Sequence, residues 1–249
     1  MGSDGTELLN VMEENILIII PTYNAKEGIV ENLKKIQQAV PNAYILVVDD
    51  SSPDGTADLV KKHFANDKHI SLLIRKGKGG RGSAILAGFK EGLKNKKINY
   101  FIEMDADLCH DPKYIKPMVA ACQKVDVVIA SRYLPSSKIT GWNIKRKLMS
   151  FSINSFAKLL LHIPISDYTN GFRCYSRKAV AFVTMHEIQS RGYIVLSEIA
   201  YICYKNGFLF AQVPINFHFK EVSKSNLNWK EIKEALSTII RLRFANEKK

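Results

Sequence analysis

Two carboxylates one residue apart, Asp105 and Asp107 with Ala106 between them, follow the run Tyr100-Phe101-Ile102-Glu103-Met104. In extended chain, residues i and i+2 point to the same side. The pair can therefore offer hard oxygen ligands to Mg²⁺ or Mn²⁺ and leave coordination positions open for phosphate oxygens. A cation held there would neutralise charge on a diphosphate leaving group. A second acidic pair, Asp49-Asp50, ends another apolar run and can accept hydrogen bonds from a base or a ribose. The Ser52-Pro53-Asp54-Gly55-Thr56 stretch after it reads as a turn and helix start. Pro21-Thr22-Tyr23-Asn24 closes the first apolar run, and the Tyr23 ring at a sheet edge would suit a nucleoside; a packed tyrosine in a strand-to-helix turn is the plainer reading. Residues 76–83, Lys-Gly-Lys-Gly-Gly-Arg-Gly-Ser, fit neither a Walker A loop nor a dinucleotide fingerprint. A flexible loop and a phosphate contact both suit them. The six histidines show no metal spacing, and no G-x-S-x-G or Cys/His nucleophile arrangement is present.

These residues need elements to bring them together. Residues 16–20, all Ile or Leu, form a continuous apolar run of the kind found in strands buried on both faces. Further strands are expected at 44–48, 71–74, 100–104 and 125–130, and helices at 26–40, 56–64, 82–93 and 113–122. That alternation predicts βαβ units and a parallel sheet. Right-handed crossovers then place every strand C-terminus on one edge, where open α/β sheets bind ligands. Tyr23-Asn24, Asp49-Asp50, Asp105-Asp107 and Ser131-Arg132 all follow apolar runs, so four polar clusters converge there. Past Gly141 the pattern changes. A long, basic, amphipathic helix is expected at 142–162, then a strand at 172–175, helices at 178–185 and 193–206, a strand at 208–213 and a terminal helix at 229–244.

Composition narrows the class. The 249 residues carry 36 Lys and Arg against 24 Asp and Glu, a net charge of +12. Residues 141–249 hold 17 against 7 of these, so that half carries +10 and residues 1–140 only +2. A one-sided basic surface attracts polyanions, including anionic lipid and phosphorylated substrates. No nucleic-acid-binding motif accompanies it, so no nucleic-acid partner is expected. The four cysteines show no C-x-x-C spacing, which fits a reducing cytoplasm. The N-terminal segment lacks the pattern of a signal peptide. The longest apolar runs fall far short of the roughly 20 residues a membrane-spanning helix needs.

Several segments together resemble family 2 glycosyltransferases of the GT-A fold, in particular dolichol-phosphate mannose synthases and other polyprenol-phosphate glycosyltransferases. They are Pro21-Thr22-Tyr23-Asn24, residues 48–56 (Val-Asp-Asp-Ser-Ser-Pro-Asp-Gly-Thr), Met104-Asp105-Ala106-Asp107-Leu108 and Ser131-Arg132-Tyr133. Gly171-Phe172-Arg173, Val213-Pro214-Ile215 and Ser225-Asn226-Leu227 complete the series. The resemblance implies an α/β, Rossmann-like GT-A fold with a mostly parallel sheet and a C-terminal helical, membrane-facing part. It implies a nucleotide-sugar site at Pro21, Tyr23, Glu27, Val48, Asp50, Asp105, Ala106, Arg132 and Lys220, with Asp105 and Asp107 on Mg²⁺ or Mn²⁺. Asp105, Asp107 and Arg132 would be catalytic, and Arg132, Arg146, Lys220 and Asn226 would meet the acceptor phosphate. Three positions depart from the family pattern: Ala25 where Glu is usual, Cys109 where some relatives have Gln, and Asn226 where Lys is common.

The expectation is an inverting glycosyltransferase that moves a sugar, with mannose from GDP-mannose as the first choice, onto a polyprenyl or dolichyl phosphate. Another donor such as UDP-glucose, a saccharide acceptor, or an inactive nucleotide-sugar-binding protein are the alternatives. Residues 1–15 are expected to be a flexible N-terminus and 16–227 the catalytic domain, with 16–140 as its nucleotide-sugar half and 141–227 as its acceptor half. Residues 228–249 are expected to form a basic amphipathic helix. The protein would lie on the cytoplasmic face of an anionic membrane as a peripheral protein, with room for a membrane-anchoring partner subunit.

Overall fold

The computed structural model describes residues 13–190, 192–219 and 229–245, with the side chains of the last segment described for 233–244. A seven-stranded sheet is its backbone, in the order β3-β2-β1-β4-β7-β5-β8. β1 (Ile16–Thr22) pairs in parallel with β2 (Tyr44–Asp49) on one side and β4 (Tyr100–Glu103) on the other. β3 (Ile70–Ile74) lies outside β2. β5 (Val127–Ser131) and β8 (Phe210–Pro214) are parallel to each other. β7 (Arg173–Ser176) enters antiparallel between β4 and β5.

The side-chain period of 2 explains the layers. In β1, Ile16, Ile18 and Ile20 face one side of the sheet, and Leu17 and Ile19 the other. The first side is covered by α1 (Ile29–Ala39), α2 (Thr56–Phe64) and α4 (Ile115–Cys122), through residues such as Leu33, Val60 and Met118. The second is covered by α3 (Arg81–Leu93), α6 (Arg177–Met185) and α7 (Val195–Lys205), joined by the buried edges of α5 (Ile144–Leu161) and α8 (Trp229–Ala245). Both faces of β1 are thus buried, which is why its sequence is apolar throughout rather than alternating.

Three features went beyond the sequence reading. β7 is antiparallel, so the sheet is mixed. Two three-residue strands, β6 (Lys138–Thr140) and β9 (Asn216–His218), pair in a small second sheet. A short 3₁₀ turn, Pro112–Tyr114, precedes α4. In addition, α1 begins three residues later than expected. Residues 24–26 are instead tied to the 52–56 turn: Asn24 N donates to Ser52 Oγ, Ala25 N to Thr56 Oγ1 and Lys26 N to Asp54 Oδ2, each at 3.0 Å.

Candidate active site

β1 and β4 are neighbours, but the chain leaves β1 toward β2 and enters β4 from the other side. This is the switch point where an open α/β sheet leaves a crevice at its C-terminal edge. Asp105 and Asp107 lie there, immediately beyond β4. The Asp105 carbonyl accepts from Asn32 Nδ2 of α1 (3.0 Å). Its amide donates to His110 Nδ1 (3.1 Å). The hydrogen of that imidazole is therefore on Nε2, which donates it to Asn170 Oδ1 (3.0 Å). His110 is also stacked on Phe172, with ring centroids 5.0 Å apart. Asp107 closes a tight turn by accepting from Cys109 N (3.1 Å), and Leu108 takes a left-handed φ of 61°.

One oxygen of each carboxylate is spent within the protein, Asp105 Oδ1 on Arg81 and Asp107 Oδ1 on Cys109 N. Among the described residues Oδ2 of each has no hydrogen bond. Two hard oxygens with open positions suit Mg²⁺ or Mn²⁺ bound together with phosphate. No group of three or more His, Cys, Asp or Glu side chains with metal-holding geometry occurs among the described residues. Burial alone would raise the Asp105 pKa. The Arg81 charge and its hydrogen bonds outweigh it and hold the carboxyl below its usual range.

On the β2 side, Asp50 is buried and saturated. Its Oδ1 accepts from Arg75 Nη1 (2.8 Å), and its Oδ2 from the amides of Gly79 (2.9 Å) and Gly80 (3.1 Å). The glycine-rich loop is thus folded onto Asp50. Gly80 has a φ of 85°, which only glycine adopts readily. Lys78 Nζ lies 4.2 Å from the centre of the exposed Tyr23 ring. Asp49 is fully buried and accepts from Thr22 Oγ1 and Ser52, so it holds the turn rather than facing the cleft. Pro21 and Ala106 are half-buried, and Glu27 is exposed. The Val48 side chain is fully buried in the core that Leu17 and Ile19 share.

Across the cleft, Arg132 follows β5. It makes a bidentate pair with fully buried Asp167, Nε to Oδ2 (2.7 Å) and Nη2 to Oδ1 (2.8 Å), and also donates to Thr169 Oγ1 (2.8 Å). Burial alone would lower its pKa, but Asp167 outweighs that and raises it. The guanidinium faces Trp142 (5.1 Å) and Phe217 (5.5 Å). Arg146 of α5 lies over Trp142 (4.9 Å) and Phe219 (4.4 Å). Burial, with the neighbouring Arg132 charge, pulls its pKa below the usual guanidinium value. Among the described residues, Trp142 Nε1 is buried in the same wall without a hydrogen-bond partner. An orphaned donor beside two guanidiniums is suited to an anion.

One cleft of about 1050 Å³, including its mouth, is lined by Asp105, Asp107, Arg132, Trp142, Arg146 and Tyr193 among others. The structure therefore brings the acid pair and the two arginines together. Tyr23, Asp50 and the glycine-rich loop sit along the sheet edge toward β2. Lys220 and Asn226 lie outside the described residues, as do the 225–227 segment and residues 1–12. Sequence reasoning missed Glu103, Asp167 and Thr169, and named Arg81 only within the 76–83 stretch as a loop or phosphate contact. Glu103 left a trace, as a lone charge inside an apolar strand. Asp167 left none.

Comparison with known proteins accords with this geometry. Residues 17–183 match the model of glycosyl transferase family 2. The undecaprenyl-phosphate mannosyltransferase of Micrococcus luteus is 33% identical over 226 residues, 91% of this chain and 93% of that protein. The polyprenol monophosphomannose synthase of Mycolicibacterium smegmatis is 34% identical over 225 residues, 90% of this chain and 84% of that protein. Among solved structures, glucosyl-3-phosphoglycerate synthase of Mycobacterium tuberculosis, in complex with Mn²⁺, UDP and glucosyl-3-phosphoglycerate, superposes with a TM-score of 0.66 at 14% identity, over 95% of this chain and 82% of that one. A Pyrobaculum calidifontis mannosyltransferase in complex with GDP-mannose and Mn²⁺ gives 0.58 at 15% identity, over 94% of this chain and 64% of that one. These neighbours share the GT-A fold. With a family match over most of its length, and with an acidic pair at the sheet's switch point facing paired arginines, the chain belongs to glycosyl transferase family 2 and is a glycosyltransferase.

Proposed function

We propose that the protein transfers mannose from GDP-mannose to a polyprenyl phosphate, with inversion at the sugar. The observation that carries this reading is the single cleft in which Asp105 and Asp107 face Arg132, Arg146 and Trp142 Nε1, the last without a partner among the described residues. The identity to two polyprenyl-phosphate mannosyltransferases over about nine-tenths of the chain supports the choice of sugar and lipid. Residues 16–140 supply the donor side and 141–227 the acceptor side, with Lys220 and Asn226 assigned to phosphate contacts.

The chemistry needs little from the protein beyond placement. The acceptor phosphate is already anionic at neutral pH, so it attacks without a strong general base. One of its oxygens bonds to the anomeric carbon from the face opposite the diphosphate. The carbon–oxygen bond to GDP breaks, and its electrons leave with the diphosphate. Arg132 and Arg146 orient the attacking phosphate and offset its charge in a cleft where water screens weakly. Asp105 and Asp107 would hold Mg²⁺ or Mn²⁺, which supplies charge neutralisation on the leaving diphosphate. Tyr23, Pro21 and the loop on Asp50 border the nucleoside.

The acceptor also fits the surface. α5 exposes Ile144, Leu148, Phe151 and Leu159 among Lys145, Lys147 and Lys158, and α8 adds Ile240 and Phe244. An apolar helix face flanked by lysines suits the plane of an anionic bilayer. No helix among the described residues is long and apolar enough to cross a membrane. The four cysteines are free thiols, which supports placement on the cytoplasmic face.

The test is transfer of label from radioactive GDP-mannose into organic-extractable lipid by purified protein with polyprenyl phosphate and Mn²⁺. Labelled lipid that disappears with EDTA is the expected result. No labelled lipid, with UDP-glucose raising the melting temperature where GDP-mannose does not, would replace the donor. No labelled lipid despite GDP-mannose binding would overturn the acceptor.

A further inference from the structure

Arg81 is the first residue of α3, and its side chain is only 11% exposed. Its donors are distributed over three partners. Nη1 pairs with Glu103 Oε1. Nε (3.1 Å) and Nη2 (2.8 Å) both donate to the same oxygen, Asp105 Oδ1. Nη2 also reaches the Gly171 carbonyl at 3.4 Å. Glu103 is fully buried on β4, and its other oxygen accepts from Tyr175 Oη of β7 (3.2 Å). The surrounding chain is fitted to this arrangement: a Cβ on Gly171 would lie 2.1 Å from Arg81 Nη2. The Tyr193 ring lies 5.8 Å from the guanidinium carbon.

Two roles suit a cation on the Asp105 carboxylate. It is either a placeholder that leaves when a divalent ion arrives, or a fixed strut. Glu103 decides between them. If Arg81 swung away, a fully buried carboxylate would lose its only ion-pair partner among the described residues, because the donors of Arg173, its cross-strand neighbour, are spent on backbone carbonyls; such an orphaned charge is costly. The guanidinium stays, and the consequence falls on Asp105. With Oδ1 committed, Oδ2 is the oxygen left for the cleft. His110 Nε2, 3.7 Å from it, directs its hydrogen to Asn170 instead.

We propose that Arg81 is a positioning residue. It fixes the Asp105 carboxylate so that Oδ2 alone is offered to the divalent cation, and it ties that carboxylate to the acceptor-side turn at Gly171. This rests on reading Asp105 as a metal ligand.

The test is Mn²⁺ binding to the full-length protein without donor, followed by the electron paramagnetic resonance of free Mn²⁺. Arg81→Lys keeps the charge but cannot span Asp105 and Glu103 together. Its Kd for Mn²⁺ should rise at least threefold while its melting temperature stays within about 3 °C of wild type; an unchanged Kd overturns the proposal. Arg81→Met with Glu103→Gln removes one charge of each sign and keeps an oxygen for Tyr175 Oη, so it guards against a variant that fails to fold. It should show the same loss, and wild-type affinity in this double variant overturns the proposal. Gly171→Ala should weaken Mn²⁺ binding in the parent and leave it unchanged in the double variant; equal losses in both backgrounds overturn the coupling. Asp105→Asn separates the underlying reading. If it binds Mn²⁺ normally, the metal assignment itself fails. If it loses Mn²⁺ and Arg81→Lys does not, only the role of Arg81 fails.

Discussion

At the residue scale the cleft depends on charges that are paired before any substrate arrives. Asp167 is the clearest case. Burial alone would raise its pKa, but Arg132, through its charge and three hydrogen bonds, holds the carboxyl below its usual range. A depressed carboxylate stabilises the fold at pH values above the unfolded pKa near 3.9, and that contribution disappears as pH falls through the folded value. Asp167→Asn should therefore cost about 3 kcal/mol, the low end for breaking a buried pair, measured as a shift in urea midpoint. The deficit should stay constant between pH 5 and 8 and shrink below about pH 4. A deficit that grew on acidification would show that the pair does not carry it. Asp105→Asn belongs to the same scale but has a different signature: turnover should be lost with the urea midpoint changed by less than about 1 kcal/mol, because Asp105 is partly open to the cleft. Asp105 and Asp107 were legible in the sequence because their spacing is local. Asp167 lies 35 residues from Arg132, and no local pattern records a partner at that distance. Glu103 was visible but uninterpreted, since a charge in an apolar strand announces a partner without naming it.

At the element scale, legibility followed burial on both faces. β1, β2 and β5 read as unbroken apolar runs, and long helices showed their period. β6 and β9, at three residues each, are too short for any period to register, and nothing in the sequence of β7 marks it as antiparallel. The glycines of α3 show what close packing demands. A Cβ on Gly92 would lie 2.3 Å from Leu17 Cδ2 and 2.7 Å from Phe101 Cε1, and one on Gly88 would lie 2.5 Å from Ile19 Cγ2. These contacts let α3 ride directly on β1 and β4, and so set Arg81 at the head of the helix over Asp105. Alanine would gain roughly 1 kcal/mol of helix propensity, so a larger side chain makes the sharper test. Gly92→Val should destabilise by about 2–3 kcal/mol through overpacking, read as a lower denaturation midpoint. A neutral result would mean that α3 can lift off the sheet without cost.

At the scale of the whole molecule, the basic half and the exposed apolar face of α5 occupy the same region as the acceptor wall of the cleft. If that face rests on lipid, the double substitution Leu148→Glu, Phe151→Glu should reduce co-sedimentation with anionic vesicles at least tenfold. Burying one such side chain in an apolar phase contributes about 1.5–3 kcal/mol. GDP-mannose binding and melting temperature should not change, because both residues are exposed and outside the cleft. Undiminished vesicle binding would move the membrane contact elsewhere.

The antiparallel strand β7 has a further consequence, for the chain as it is made. β5 has no hydrogen-bonded neighbours in the sheet except β7 and β8, and both are encoded later. When a ribosome has delivered Val127–Ser131, five residues that are all buried in the finished protein, the strand that joins them to β4 is still about 40 residues from synthesis. At 5–20 residues per second that is a wait of about 2–8 s. Throughout it the nascent chain presents a bare apolar ribbon and the open edge of β4, a natural target for holding chaperones and the part of a stalled or truncated product that would stick to its neighbours.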